Sequence, residues 1–159
     1  MTPRRLSLAV LILSLAVIGG ALGFQYWGGL VPCELCLKER WAWYAAIPLA
    51  AALAFVRPSA VAPMLFTGLF LASSALAFYH VGVEQGWFAA PEACSAAKLK
   101  AGTPEEQLQQ ILDAPAVLCS EVQTYVLGLS LATWNLLASL ALVGLALWTW
   151  RRGNREAMP

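Results

Sequence analysis

Three stretches of this chain run for a membrane thickness without a single charge. Leu6–Tyr26, Pro58–Val83 and Tyr125–Trp150 contain no Asp, Glu, Lys or Arg, and about 20 apolar residues carry a helix across the hydrocarbon core. A fourth stretch, Trp41–Val56, offers only 16 uncharged residues, so its helix must begin earlier, inside Lys38-Glu39-Arg40. With 60% hydrophobic and 12% charged residues, a soluble domain of this length is hard to sustain. The reading is an all-α membrane protein, one four-transmembrane-helix bundle over residues 1–159 with no internal repeat. Spans fall at about 6–26, 38–56, 61–81 and 125–150, with outer loops at about 27–37 and 82–124. Arg4 and Arg5 precede the first run as in a signal peptide, but that run is long for a signal, and an uncleaved first helix is the simpler reading.

Four spans put both termini and the turn at Arg57 on one side. That side carries Arg4, Arg5, Arg57, Arg151, Arg152 and Arg155, against Lys38, Arg40, Lys98 and Lys100 on the other. The positive-inside rule makes the first side cytoplasmic, so all four cysteines lie outside.

Cys33 and Cys36 occupy the first outer loop as Cys-Glu-Leu-Cys, while Cys94 and Cys119 stand far apart in the second. Four cysteines allow three connectivities, and the residues alone leave them open. An extracytoplasmic compartment is oxidising, so disulfides are expected there. A bridge across so short a loop as Cys33–Cys36 stabilises much less than a long-loop crosslink. A thiol near a helix N-terminus or a cation is reactive, and the pair therefore reads as a redox dithiol at the membrane surface. No metal is expected: the second pair lacks zinc-ribbon spacing, and an oxidising compartment disfavours four free thiolates. Haem is disfavoured too, because Leu37 rather than His follows Cys36 and a single His cannot supply two imidazole ligands.

Arg40 lies four residues after Cys36, one helical turn away on the same face. A cation there favours the Cys36 thiolate and can hydrogen-bond a carbonyl oxygen. His80, the only histidine in the chain, closes the third span at the same outer boundary. Trp41, Trp43, Trp87, Trp134, Trp148 and Trp150 fall near span ends or in outer loops, where aromatic belts form. In the second outer loop Thr103-Pro104-Glu105-Glu106 reads as an N-cap, a proline at the first helical position and a capping-box acid. It opens a short helix ending before Pro115, whose Leu108, Ile111 and Leu112 share a face suited to the membrane interface.

Taken together, Pro32-Cys33-Glu34-Leu35-Cys36-Leu37-Lys38-Glu39-Arg40, the spans around it, the lone His80, the separated Cys94 and Cys119, and Trp134 in the last span resemble the DsbB family of bacterial inner-membrane disulfide bond formation proteins. The resemblance covers nearly the whole chain. It implies a multi-pass thiol:quinone oxidoreductase of the bacterial inner membrane, with the cysteines periplasmic, the termini cytoplasmic and no nucleic-acid partner. By this likeness a soluble periplasmic DsbA-like dithiol protein forms a mixed disulfide with Cys94 of a Cys94–Cys119 bridge. Cys119 then passes the electrons to Cys33, and Cys36 hands them to a quinone, ubiquinone or menaquinone, lying against Arg40 and near His80. Exchange of this kind proceeds by thiolate attack through a mixed disulfide.

Two segments depart from the family pattern. Ser120-Glu121-Val122-Gln123-Thr124 lacks an aromatic residue, and Leu131-Ala132-Thr133 stands before Trp134 where a proline-containing motif is common. Two other readings use the same residues. A vitamin K epoxide reductase-like enzyme also joins Cys-x-x-Cys to quinone, with its reducing pair late in the domain rather than after the first span. A non-enzymatic tetraspan protein would use the cysteines only as staples.

Overall fold

The computed structural model describes residues 2–56, 61–94, 103–112 and 117–156. The expected turn at Arg57, the cations Lys98 and Lys100, and Pro115 lie outside the described residues.

Five α-helices dominate the described residues: α1 Pro3–Tyr26, α2 Glu34–Ala51, α3 Ala62–Glu84, α4 Pro104–Leu112 and α5 Leu131–Glu156. The helices α1, α3 and α5 are long and apolar enough to cross a membrane, which makes this an all-α, multi-pass membrane protein. Their surfaces are inverted relative to a soluble protein. Ile12, Leu15, Leu71, Phe78 and Leu140 point outward, while Ser7, Ser14, Ser73, Ser74, Ser139 and Thr149 are buried. Small polar residues between helices allow close approach in lipid; the Ser73 and Ser139 hydroxyls meet at 3.0 Å between α3 and α5. A core of Leu6, Val10, Trp43, Phe66, Phe70, Leu142 and Ala146 fills the bundle.

The helix α2 starts at Glu34 rather than near residue 38. Cys33 is its N-cap, and the Cys33 Sγ accepts a hydrogen bond from the Cys36 backbone N–H at 3.2 Å. A side-chain acceptor for the first free N–H groups is what a helix start needs, and Glu34 in the first turn suits the positive end of the helix dipole. Pro48, inside α2, offers no N–H, and a π-helical turn, Ala52–Val56, continues the chain past it.

The last long helix begins at Leu131, later than the expected Tyr125. Tyr125–Val126 and Leu129–Ser130 instead pair antiparallel as strands β1 and β2. Leu127 (φ 51°) and Gly128 (φ 82°) turn between them, matching a two-residue hairpin with both central residues at positive φ. The reciprocal cap predicted for α4 is present: Glu106 N–H donates to Thr103 Oγ1 at 3.3 Å and Thr103 N–H to Glu106 Oε2 at 2.9 Å. Leu108 and Leu112 on that helix are exposed.

Candidate active site

The helix α2 packs against α1 and α3, and its N-terminal turns meet the C-terminal end of α3. Cys36 and Glu39 are three residues apart on one helical face, and His80, in the last turns of α3, meets Cys33 and Glu39. Its Nε2 lies 3.6 Å from Cys33 Sγ, and its Nδ1 lies 2.7 Å from Glu39 Oε1. The other carboxylate oxygen of Glu39 accepts from Asn135 Nδ2 at 2.6 Å, and Asn135 Oδ1 accepts from Trp43 Nε1 at 2.7 Å. A line of polar groups thus runs from the dithiol through α3 and α2 to α5. Burial explains its completeness: Glu39 is 6% exposed and His80 2%, and a buried carboxylate without partners is very costly. A carboxylate oxygen accepts and an imidazole N–H donates, an arrangement that suits His80 Nδ1–H toward Glu39 with Nε2 toward the sulfur.

The Cys33 thiol, outside the spans, is held down to about 4 from its ordinary 9.0. Its hydrogen bond with the Cys36 side chain is the largest cause; burial opposes the shift, and contacts with His80 and the Cys36 backbone add to it.

Cys33, Cys36, Glu39, Arg40 and His80 all line one cavity of about 350 Å³. Small residues form its walls, Ala16, Gly20 and Ala21 on α1 and Ala132 and Ala138 on α5, and Trp134 also borders it. Arg40 Nη1 donates to Gln25 Oε1 at 2.7 Å, which leaves further guanidinium donors. Arg40 therefore pairs across to α1, not with the neighbouring Glu39.

Cys94 and Cys119 form a disulfide. Both are buried, and with Cys33, Leu35 and Val83 they make a second apolar cluster. The backbone approaching Cys94 is pinned to α3: Tyr79 Oη donates to Ala89 C=O at 2.8 Å, and the Phe88 ring stacks on Tyr79 at 5.7 Å. Phe88 also sits over Gly82, where a Cβ would meet its ring at 2.1 Å.

These features agree with a comparison of the chain with known proteins. A family model described as disulfide bond formation protein DsbB matches residues 3–149. The chain belongs to the DsbB family. A disulfide bond formation protein B of Azoarcus sp. (strain BH72) is 30% identical over 151 residues, covering 91% of this chain and 90% of that protein. One from Neisseria meningitidis serogroup A / serotype 4A is 28% identical over 165 aligned positions, covering 97% and 100%. As a DsbB-family member the chain is a disulfide-forming oxidoreductase.

All of the sequence-predicted residues near the first pair, Cys36, Arg40 and His80 among them, meet at this cavity. His80 faces Cys33 rather than Cys36. Sequence reasoning passed over Glu39, Asn135 and Gln25, and it placed Trp43 in an interfacial belt. Trp43 is 2% exposed and packs on Phe70 in the core, with ring centroids 5.0 Å apart. A lone amide in an otherwise apolar span was the available signal for Asn135, since polar groups at membrane depth need partners. The divergent segment after Cys119 takes part as well: the Gln123 side chain donates to Val31 C=O, tying the segment after Cys119 to the one before Cys33.

Proposed function

We propose that this DsbB-family protein reoxidises a soluble thioredoxin-like dithiol protein and passes the electrons through two cysteine pairs to a membrane quinone. One observation carries the reading: a reactive dithiol opens onto a cavity of about 350 Å³, at the low end of the roughly 300–1,000 Å³ typical of small-molecule sites. Small residues on α1 and α5 leave room for a flat ring, and Arg40 supplies fixed donors for a carbonyl oxygen.

The partner's thiolate attacks Cys94, forming a mixed disulfide and releasing Cys119 as thiolate. The partner's second thiol resolves it, so the partner leaves oxidised and Cys94 and Cys119 are left as thiols. Cys119 then attacks Cys33 of the Cys33–Cys36 disulfide and releases Cys36; Cys94 attacks the Cys33–Cys119 bridge, restoring the second disulfide and freeing Cys33. His80, braced by Glu39 and Asn135, stabilises Cys33 as a leaving thiolate and takes or returns its proton at Nε2. When bound beside Cys36 and Arg40, a quinone would be the acceptor for the two electrons and two protons given up as the Cys33–Cys36 bond reforms. Arg40 orients the acceptor with its fixed fork of N–H donors. Burial of Cys94 requires the segment after α3 to lift before the partner can reach it.

In the same proposal α2 with its π turn makes a fourth span, and α4 lies on the membrane surface through Leu108 and Leu112. Arg4, Arg5, Arg151 and Arg152 put the termini in the cytoplasm and the cysteines in the periplasm of a bacterial inner membrane. Thiol chemistry on purified variants tests the relay. Cys33→Ser or Cys36→Ser should abolish quinone reduction, while Cys94→Ser or Cys119→Ser should stop oxidation of the soluble dithiol but leave the first pair intact. Wild-type turnover in all four variants would sink it.

A further inference from the structure

We propose that the reduced Cys33–Cys36 pair and His80 form a binding site for a thiophilic divalent cation such as Zn²⁺, which locks the enzyme in its dithiol state. The three donor atoms, two sulfurs and His80 Nε2, lie within 4.8 Å of one another. Zinc binds thiolate sulfur at about 2.3 Å and imidazole nitrogen at about 2.0–2.1 Å in a tetrahedron, so two such ligands stand roughly 3.5 Å apart. Cys33 Sγ and His80 Nε2 are 3.6 Å apart.

The surroundings are those of a metal ligand set. The other histidine nitrogen lies 2.7 Å from a carboxylate, Glu39, which Asn135 fixes in turn. A carboxylate behind a ligating histidine sets its tautomer and raises its basicity. The Cys36 backbone N–H donates to Cys33 Sγ, easing negative charge on that sulfur. All three donors line the cavity, which leaves space for water as the fourth ligand, the open arrangement of three-ligand zinc sites. Cys94 and Cys119, bonded to each other, are not needed.

Binding is not a redox step. The cation displaces the protons shared among Cys33, Cys36 and His80, two sulfur–metal bonds and one nitrogen–metal bond form, and the displaced protons leave to solvent. A metal-held pair of thiolates cannot close a disulfide until the ion departs, so the ion competes with turnover and the oxidised pair does not bind it.

The test reads binding, with neither quinone nor protein partner present, so it stands or falls apart from the proposed acceptor. In a Cys94→Ala/Cys119→Ala chain, reduced anaerobically, Co²⁺ should give a thiolate-to-cobalt absorption band saturating at one ion per chain, and Zn²⁺ should displace it. Glu39→Gln should weaken Zn²⁺ about 10–100-fold, as expected for loss of such a support, and His80→Ala by more. In the chain with its own cysteines otherwise unaltered, Zn²⁺ should protect Cys36 from alkylation, and prior closure of the Cys33–Cys36 disulfide should abolish binding. The proposal is overturned by absence of the band, by absence of protection, or by equal affinity with and without His80.

Discussion

His80 Nδ1 lies 2.7 Å from Glu39 Oε1 in the buried interior, joining α3 to α2 directly behind the dithiol. Removing either partner leaves the other buried without its counterpart, which costs far more than the pair contributes. Glu39→Gln should therefore lower kcat for dithiol oxidation while changing the quinone KM little, because Glu39 reaches the sulfur only through His80. A change confined to KM would assign Glu39 to the acceptor instead.

The Cys33 thiol titrates near 4 against an ordinary 9.0. Its folded pKa is depressed, so the stability it lends the reduced state is fully present above about 9 and is lost as pH falls through about 4. Cys36 and His80 contact it directly, and Glu39 and Arg40 from α2, Glu84 from α3 and Glu121 from the segment before β1 line the same cavity. In Cys36→Ser, which keeps a hydroxyl donor, the pH-independent plateau of Cys33 alkylation should extend down from neutrality and fall only near the low value. His80→Ala should move that fall upward. A fall near 9 in Cys36→Ser itself would remove the proposed activation.

Arg40 should govern acceptor affinity. Arg40→Gln should raise the apparent quinone KM, and Arg40→Lys should fall between it and the parent, since a lysine restores charge but not the planar fork of donors. Unchanged KM in both would reduce Arg40 to a strut for Gln25.

At the Gly82–Phe88 contact, Gly82→Ala should force the Phe88 ring away, at a cost of about 1–3 kcal/mol for overpacking. The segment leading to Cys94 should loosen. Reduced Cys94 should then react faster with a membrane-impermeant maleimide, while helix content stays constant; an unaltered rate would mean that Phe88 does not guard this segment.

Leu127 adopts φ 51° at an 88% exposed position, and the left-handed region costs an ordinary residue roughly 1–2 kcal/mol. Leu127→Asn should raise the thermal midpoint of the detergent-solubilised protein. A lower midpoint would show that the leucine side chain contributes more than its backbone strain costs.

The long apolar helices could be read from sequence because length without charge is a local property: Leu6–Tyr26 and most of Pro58–Val83 became α1 and α3. The start of α2 could not, because its charged residues looked like a loop boundary. Glu39 is tolerated inside only because His80 and Asn135, distant in the chain, converge on it. The hairpin before α5 was hidden in the same way. Leu127 stands where Asn or Gly would have signalled the turn, so an unbroken apolar run masked β1 and β2. At the site, the cysteine spacing and Arg40 pointed to the cavity, whereas the sulfur that His80 touches was settled by how α3 packs on α2.

The sulfur proposed to exchange electrons is also the N-cap of α2. When Cys33 joins Cys36 in a disulfide it gives up its charge and with it most of its strength as an acceptor for the Cys36 N–H. An N-cap is worth about 0.5–2 kcal/mol, so each oxidation loosens the first turn of the helix that bears Glu39 and Arg40, and each reduction tightens it. The proposed cycle should thereby register in helix fraying, and amide hydrogen exchange at residues 34–37 should report the redox state of the pair.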